Sequence, residues 1–223
     1  MKIFNIKKEF DRFALHVAHL DVIQGKVHGI IGSNGCGKTT LMKIMAGLLR
    51  PDSGTVDYGD LSLRDITMVF RKPYLIHDTV MSNLIYPLKI RKLKPDCALV
   101  EHYLEMAGLQ DQREQYALGL SGGEQQKLSL IRALVFSPKL IFIDESFSNM
   151  DIESVAFFED YILNMQKTNP VTWVMISHHL SHIKRLCDDV YFMHDGKIEV
   201  QGKQHQIFQN PENAHLRRYL QYV

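Results

Sequence analysis

The chain has 223 residues, 45% hydrophobic and 23% charged, with a formal net charge of +1. That length builds one sizeable core with room for a subdomain, and the mixed acids and bases leave no footprint for nucleic acid. Cys36, Cys97 and Cys187 stand far apart with no CxxC pair, which argues against a disulfide scaffold and fits a reducing compartment.

The opening "MKIFNIKKEF" interleaves charges with apolar residues and has no h-region, so no secretory signal is expected. Over the first seventy residues "KIFNIKKEF", "FALHVAHLDV", "VHGIIG", "GTVDYG" and "ITMVF" read as strands punctuated by glycines. Between them "TTLMKIMAGLL" predicts a helix of Leu41, Ile44, Met45 and Leu48, with Pro51 limiting its extension. The basic run "KIRKLK", Lys89 to Lys94, reads as a solvated face, with phospholipid or a partner as the alternative. "PDCALVEHYLEMAGL" places Leu99, Val100, Tyr103, Leu104 and Ala107 on one helix face, and Gly108 is its expected stop.

"GLSGGEQQKLSL" poses a puzzle: Ser121 and Glu124 form a capping box, and Leu128, Ile131, Leu134 and Val135 recur at helical spacing. Yet the first turn holds Gly122 and Gly123, each costing about 1 kcal/mol against alanine. Bare amides at a positive helix end suit an anion, but no Lys-Ser/Thr lies nearby to complete a phosphate site. "KLIFID" then reads as a buried parallel strand, "IESVAFFEDYILNMQK" as a helix and "VTWVMIS" as a strand. "DVYFMHDGKIEVQG" reads as two strands joined by an Asp195-Gly196 turn. The alternation predicts an α/β core with a parallel sheet. No run of 18 uninterrupted apolar residues occurs, so no membrane span is expected and the chain reads as soluble and cytoplasmic.

The strongest chemical pattern is "GSNGCGKTT", matching G-x-x-x-x-G-K-[ST] from Gly32 to Thr39 between an apolar strand and a helix. Its glycines let amides curl around phosphates, Lys38 reaches the β- and γ-phosphates, and the Thr39 hydroxyl ligates Mg²⁺. Cys36 lies inside this loop, where amide dipoles favour a thiolate; the alternative is a small residue that simply fits. "LIFIDES" ends a strand with Asp144, placed to hold Mg²⁺ through its hydration shell, and Glu145, the candidate to orient or deprotonate water. His178 in "MISHHLSH" follows a strand's C-terminal end, where ligands of open α/β sheets bind. His178, His179 and His182 lack a matching Cys or carboxylate set for zinc, so His179 and His182 read as ordinary helix-face residues.

On these motifs the chain resembles the ATP-binding subunits of ABC transporters over essentially its whole length. "GSNGCGKTT" matches Walker A, "LSGGEQQ" the ABC signature, "LIFIDE" Walker B, "FSNMD" the D-loop and "ISHH" the switch histidine. The resemblance implies a P-loop NTPase (RecA-like) α/β core with an N-terminal antiparallel β-subdomain, about 1–75 and 136–223, and an inserted helical ABC subdomain, about 76–135. It implies ATP and Mg²⁺ as ligands, with Gly32, Ser33, Asn34, Gly35, Cys36, Gly37, Lys38, Thr39 and Thr40 around the phosphates. It also answers the puzzle, because in that family two copies pair head to tail. Ser121, Gly122, Gly123 and Glu124 of one would close on the ATP held by the other, and Asp151 would run between the two sites. Phe10, then Phe13, is the match for the aromatic that stacks on adenine.

Two positions depart from the family pattern. Arg71 stands where a glutamine that touches Mg²⁺ and water is usual; arginine cannot accept from a metal-bound water, so altered Mg²⁺ affinity or slow basal hydrolysis is expected. Ser146 stands where proline commonly follows the glutamate, which should change loop stiffness more than chemistry. "KPYLIHDTVMSNLIYPLKIRK" fits the part of the family that receives a membrane partner's coupling helix. The resemblance further implies permease subunits, a substrate-binding protein, and a peripheral place on the inner face of the membrane. In tone it is nearest to importers of tungstate-like oxyanions or polar amino acids.

Overall fold

The computed structural model describes residues 1–148 and 150–222. In chain order its strands and helices are β1 (Lys2–Phe10), β2 (Phe13–Asp21), β3 (Val27–Gly32), α1 (Lys38–Met45), β4 (Ser53–Asp57) and β5 (Ile66–Val69). Helices α2 (Val80–Arg91), α3 (Cys97–Ala107) and α4 (Gly122–Leu134) follow, then β6 (Leu140–Asp144), α5 (Ile152–Thr168), β7 (Thr172–Ile176) and α6 (Leu180–Leu186). The chain closes with β8 (Asp189–His194), β9 (Lys197–Lys203), α7 (Gln204–Gln209) and α8 (Ala214–Gln221).

Two sheets result. An antiparallel one has the order β2-β1-β4, and a six-stranded one the order β5-β6-β7-β3-β8-β9. In the second, β5, β6, β7, β3 and β8 run parallel and only β9 is antiparallel, paired with β8. Every residue of β3, β6 and β7 is buried, as apolar runs covered on both faces must be. The Asp195-Gly196 turn forms as the sequence predicts, with φ of 41° and 75°. Two positive φ values suit the tight hairpin that a twisted pair requires. Its Gly196 carbonyl accepts from His16 N at 2.7 Å and its N–H donates to Cys36 O at 3.1 Å, so the turn touches both the small sheet and the P-loop.

One apolar cluster packs Ile3, Leu15, Val17, Leu41, Met42 and Met45 between the small sheet, α1 and one face of the large sheet. A second covers the other face with α2 to α5 and includes Leu84, Leu104, Leu128, Ile131 and Phe158. Each such side chain contributes about 1.5–3 kcal/mol through burial. Helix α1 stops at Met45, earlier than the sequence predicts. Gly47 turns left-handed at φ 72° directly after it, and Leu48 is exposed, so glycine and not Pro51 ends the helix. Helix α3 behaves as read: Val100, Tyr103, Leu104 and Ala107 are buried, and Gly108 closes it at φ 67°. No helix among the described residues is long and apolar enough to cross a membrane.

Candidate nucleotide site

The loop between β3 and α1 supplies the first half of the site. At Gly32, φ is 146° and an added Cβ would lie 2.2 Å from Met193 O; at Gly37, φ is 103° and a Cβ would meet the Phe13 ring at 2.6 Å. Both positions exclude a side chain, which is why the loop can close on itself. Lys38 is 6% exposed, and its Nζ donates to Gly32 O at 2.8 Å and Ser33 O at 2.9 Å. Burial pushes its pKa down, opposed by charges that include Glu145 and Asp144. A desolvated ammonium held by loop carbonyls at the start of a helix fits an anionic ligand such as a phosphate chain.

The second half comes from the C-terminal ends of β6 and β7. Thr39 Oγ1 donates to Asp144 Oδ2 at 2.9 Å and Oδ1 at 3.1 Å. Asp144 is 5% exposed, and burial raises its pKa against the opposing Thr39 hydrogen bonds. A hydroxyl and a buried carboxylate are the hard oxygen donors Mg²⁺ prefers, and a cation would relieve the desolvated charge. The residues fit that metal. Glu145 follows with φ 52°, a left-handed conformation costing a non-glycine residue about 1–3 kcal/mol, and its N–H donates to Ile176 O at 3.0 Å. Its Oε1 lies 2.5 Å from His178 Nε2 and its Oε2 lies 3.2 Å from Arg71 Nη1.

That last contact settles where Arg71 goes in this structure. It meets the carboxylate read as the base. Ser146 does more than alter stiffness: buried, it donates from Oγ to Val69 O at 3.2 Å and Phe70 O at 3.4 Å. Gln126 Nε2 on α4 also donates to Phe70 O, at 3.3 Å. The backbone just before Arg71 is thus held by Ser146, two residues past β6, and by Gln126 of α4, a link that no sequence spacing announces.

The signature end stands apart. Ser121 Oγ accepts from Glu124 N at 3.3 Å and Glu124 Oε2 accepts from Ser121 N at 2.8 Å, completing the capping box. Hydrogen bonds from Ser121 hold the Glu124 carboxyl below its usual range. Ser121 and Gly122 are exposed, Gly123 is half-buried, and nothing crowds a Cβ at Gly122. Among the described residues, no hydrogen bond or ion pair joins 121–124 to the P-loop. Asp151 caps α5 through Ser154 N at 2.8 Å and meets Lys127 Nζ of α4 at 3.3 Å. Asn149, within the predicted D-loop, lies outside the described residues.

The structure also places the aromatics, Cys36 and the two remaining histidines. A cavity of about 650 Å³ opens between Ser33–Cys36 and the β1–β2 hairpin, with Phe13 in its wall. Phe13 packs on Gly37, whereas Phe10 is 48% exposed with its ring 6.2 Å from that of Phe13, so Phe10 is the freer aromatic. Cys36 is 3% exposed, and burial pushes its thiol up against the pull of Lys38, opposing the dipole effect expected from the loop. Iodoacetamide should therefore modify Cys36 at least about tenfold more slowly than exposed Cys97, read peptide by peptide by mass spectrometry; equal rates would contradict burial as the controlling term. His179 is the N-cap of α6 rather than a helix residue. His182 is not an ordinary helix-face residue either: its Nδ1 lies 2.6 Å from Glu159 Oε1, whose other oxygen accepts from Arg185 Nη1 at 2.8 Å.

Lys38, Thr39, Asp144, Glu145 and His178, gathered at the C-terminal edge of a parallel sheet, define a P-loop nucleoside-triphosphatase. Residues 15–148 match the family described as ABC transporter, and the chain belongs to that family. It is an ATPase, and ATP with Mg²⁺ is its ligand pair. The ATP-binding protein TupC of the tungstate uptake system of Peptoclostridium acidaminophilum is 35% identical over 204 residues, 88% of this chain and 95% of that protein. The methionine import ATP-binding protein MetN of Bacillus subtilis is 29% identical over 97% of this chain and 68% of its own length. A dimeric ATP-binding cassette solved in a post-hydrolysis state with ADP and Pi has a similar fold. Its TM-score is 0.79 at 24% identity, over 91% of this chain and 97% of that one.

Proposed function

We propose that the chain is the motor subunit of an importer and works as a head-to-tail pair that sandwiches two ATP. One observation carries this reading: Lys38, Thr39, Asp144, Glu145 and His178 converge on one edge, while the capped, glycine-opened end of α4 stands exposed and, among the described residues, makes no hydrogen bond or ion pair with them. A second copy supplies what each lacks. In the closed pair Lys38 and the loop 32–40 hold phosphate, Thr39 and Asp144 hold Mg²⁺, and Phe10 faces the base. Glu145 takes a proton from the attacking water while His178 fixes its carboxylate. The Ser121–Glu124 end adds amides and dipole against the far phosphate, and Asp151 lies at the seam. Loss of that phosphate removes the bridging charge, and the pair opens.

Residues 76–135, where α2 and α3 pack on α4, serve as the helical subdomain that meets a permease. Tyr86, Ile90 and Leu93 are exposed there beside Lys89, Lys92 and Lys94, an apolar-basic surface suited to a cytoplasmic membrane-protein loop. The permease places the subunit at the inner membrane face, a substrate-binding protein delivers the cargo, and the relatives point to tungstate-like oxyanions, with methionine-type amino acids second. Affinity purification should recover this chain with hydrophobic membrane subunits; recovery with ribosomes or DNA instead would replace transport by a non-transport role.

The Arg71 contact favours slow basal turnover, because a guanidinium 3.2 Å from Glu145 Oε2 competes with the attacking water for that carboxylate. Arg71 is 67% exposed, so solvent limits the effect to about 1 kcal/mol. Arg71→Gln should raise basal hydrolysis by up to about fivefold and alter its Mg²⁺ dependence. Unchanged turnover and metal dependence would discard the idea.

A further inference from the structure

The P-loop chemistry leaves a titratable cluster at the β8–β9 hairpin unused. His194 at the end of β8, Glu199 in β9 and His215 in α8 bring their ligand atoms within 4.8 Å of one another. His215 Nδ1 lies 2.9 Å from Glu199 Oε2 and 3.1 Å from Oε1, and its ring stacks on His194 at a 4.0 Å centroid distance. The pairing of β8 with β9 slips at this point: Phe192 faces Val200 and Met193 faces Ile198, leaving Glu199 as the extra, unpaired residue. A bulge of this kind re-aims one side chain, and here it brings Glu199 to His194. Asn213 Nδ2 donates to Glu199 Oε2 at 3.1 Å, an outer contact of the sort that orients a ligating carboxylate.

We propose that His194, Glu199 and His215 bind a zinc-class divalent cation that fastens α8 to the β8–β9 hairpin. Two imidazoles and one carboxylate are a borderline-soft set that selects Zn²⁺ over Mg²⁺ and leaves one coordination position for water. All three side chains reach solvent, so the contraction from 4.8 Å to bonding geometry needs only rotamer adjustment. The clamp has something to hold. Helix α8, with Tyr219, helps wall a cavity of about 480 Å³ that is also lined by Gly32–Asn34 and His178. Metal here would fix one wall of the nucleotide cleft without touching the Mg²⁺ ligands.

The test uses the full chain, free of nucleotide, titrated with Zn²⁺ by calorimetry and with Co²⁺ by visible absorption. The expected result is one equivalent bound with the intense d–d bands of a low-coordinate Co²⁺ site. His215→Ala and Glu199→Gln should each weaken binding more than about tenfold, and Thr39→Ala should leave it unchanged. Because His215 and Glu199 are surface groups, unchanged thermal melting without metal will show that the variants fold. Absence of binding, or binding that survives both substitutions, overturns the site. So does binding abolished instead by His179→Ala or His182→Ala.

Discussion

Glu145→Gln should lower ATP turnover by roughly 10²–10⁴ while leaving nucleotide binding intact. The amide keeps the shape of the carboxylate and its contact with His178, but it cannot accept a proton from water. Neither the P-loop nor the Thr39–Asp144 pair uses this side chain for its own hydrogen bonds, so the binding half of the site stays assembled. The backbone also stays as it is, since the strained φ of 52° is fixed by the Glu145 N–H bond to Ile176 O rather than by the side chain. Turnover within a few-fold of the native rate would assign the base elsewhere. Burst and steady-state phosphate release, measured beside nucleotide affinity, separate the chemical step from binding.

Ser121→Arg should abolish hydrolysis while each single chain still binds ATP. Ser121 is exposed and its backbone geometry is that of an N-cap, so the folded monomer loses the cap, about 1 kcal/mol, and little else. In a closed pair the same position would lie against the neighbour's phosphate, where a long cationic side chain has no room. Fluorescent-nucleotide titration should give near-native affinity, and phosphate release should be at background. If Ser121→Arg hydrolysed normally, the signature end would have no place in the reaction.

Much of this was legible in the sequence because each half of the P-loop site is local. Gly32 to Thr39 is one continuous stretch, Asp144 ends one fully buried strand with Glu145 directly after it, and His178 sits just past another. Strand burial, the 195–196 turn and the face of α3 follow from period and turn chemistry alone. What escaped was long-range. Arg71 and Glu145 are 74 positions apart, and their pairing depends on β5 lying beside β6 in the sheet. His182 reads from sequence as an ordinary helix-face residue because Glu159, its partner, is on another helix. The slip that aims Glu199 at His194 arises from strand register, which hydrophobic alternation does not encode. The early end of α1 was local after all: Gly47, not Pro51, was the residue to weigh.

The most direct measurement is sedimentation velocity on the Glu145→Gln protein, with and without the permease proposed for it. With saturating Mg-ATP, the account predicts a species of twice the monomer mass that ADP does not support and Ser121→Arg does not form. A chain that stays monomeric with nucleotide bound, even beside the permease, would contradict the claim that two incomplete surfaces make one working site.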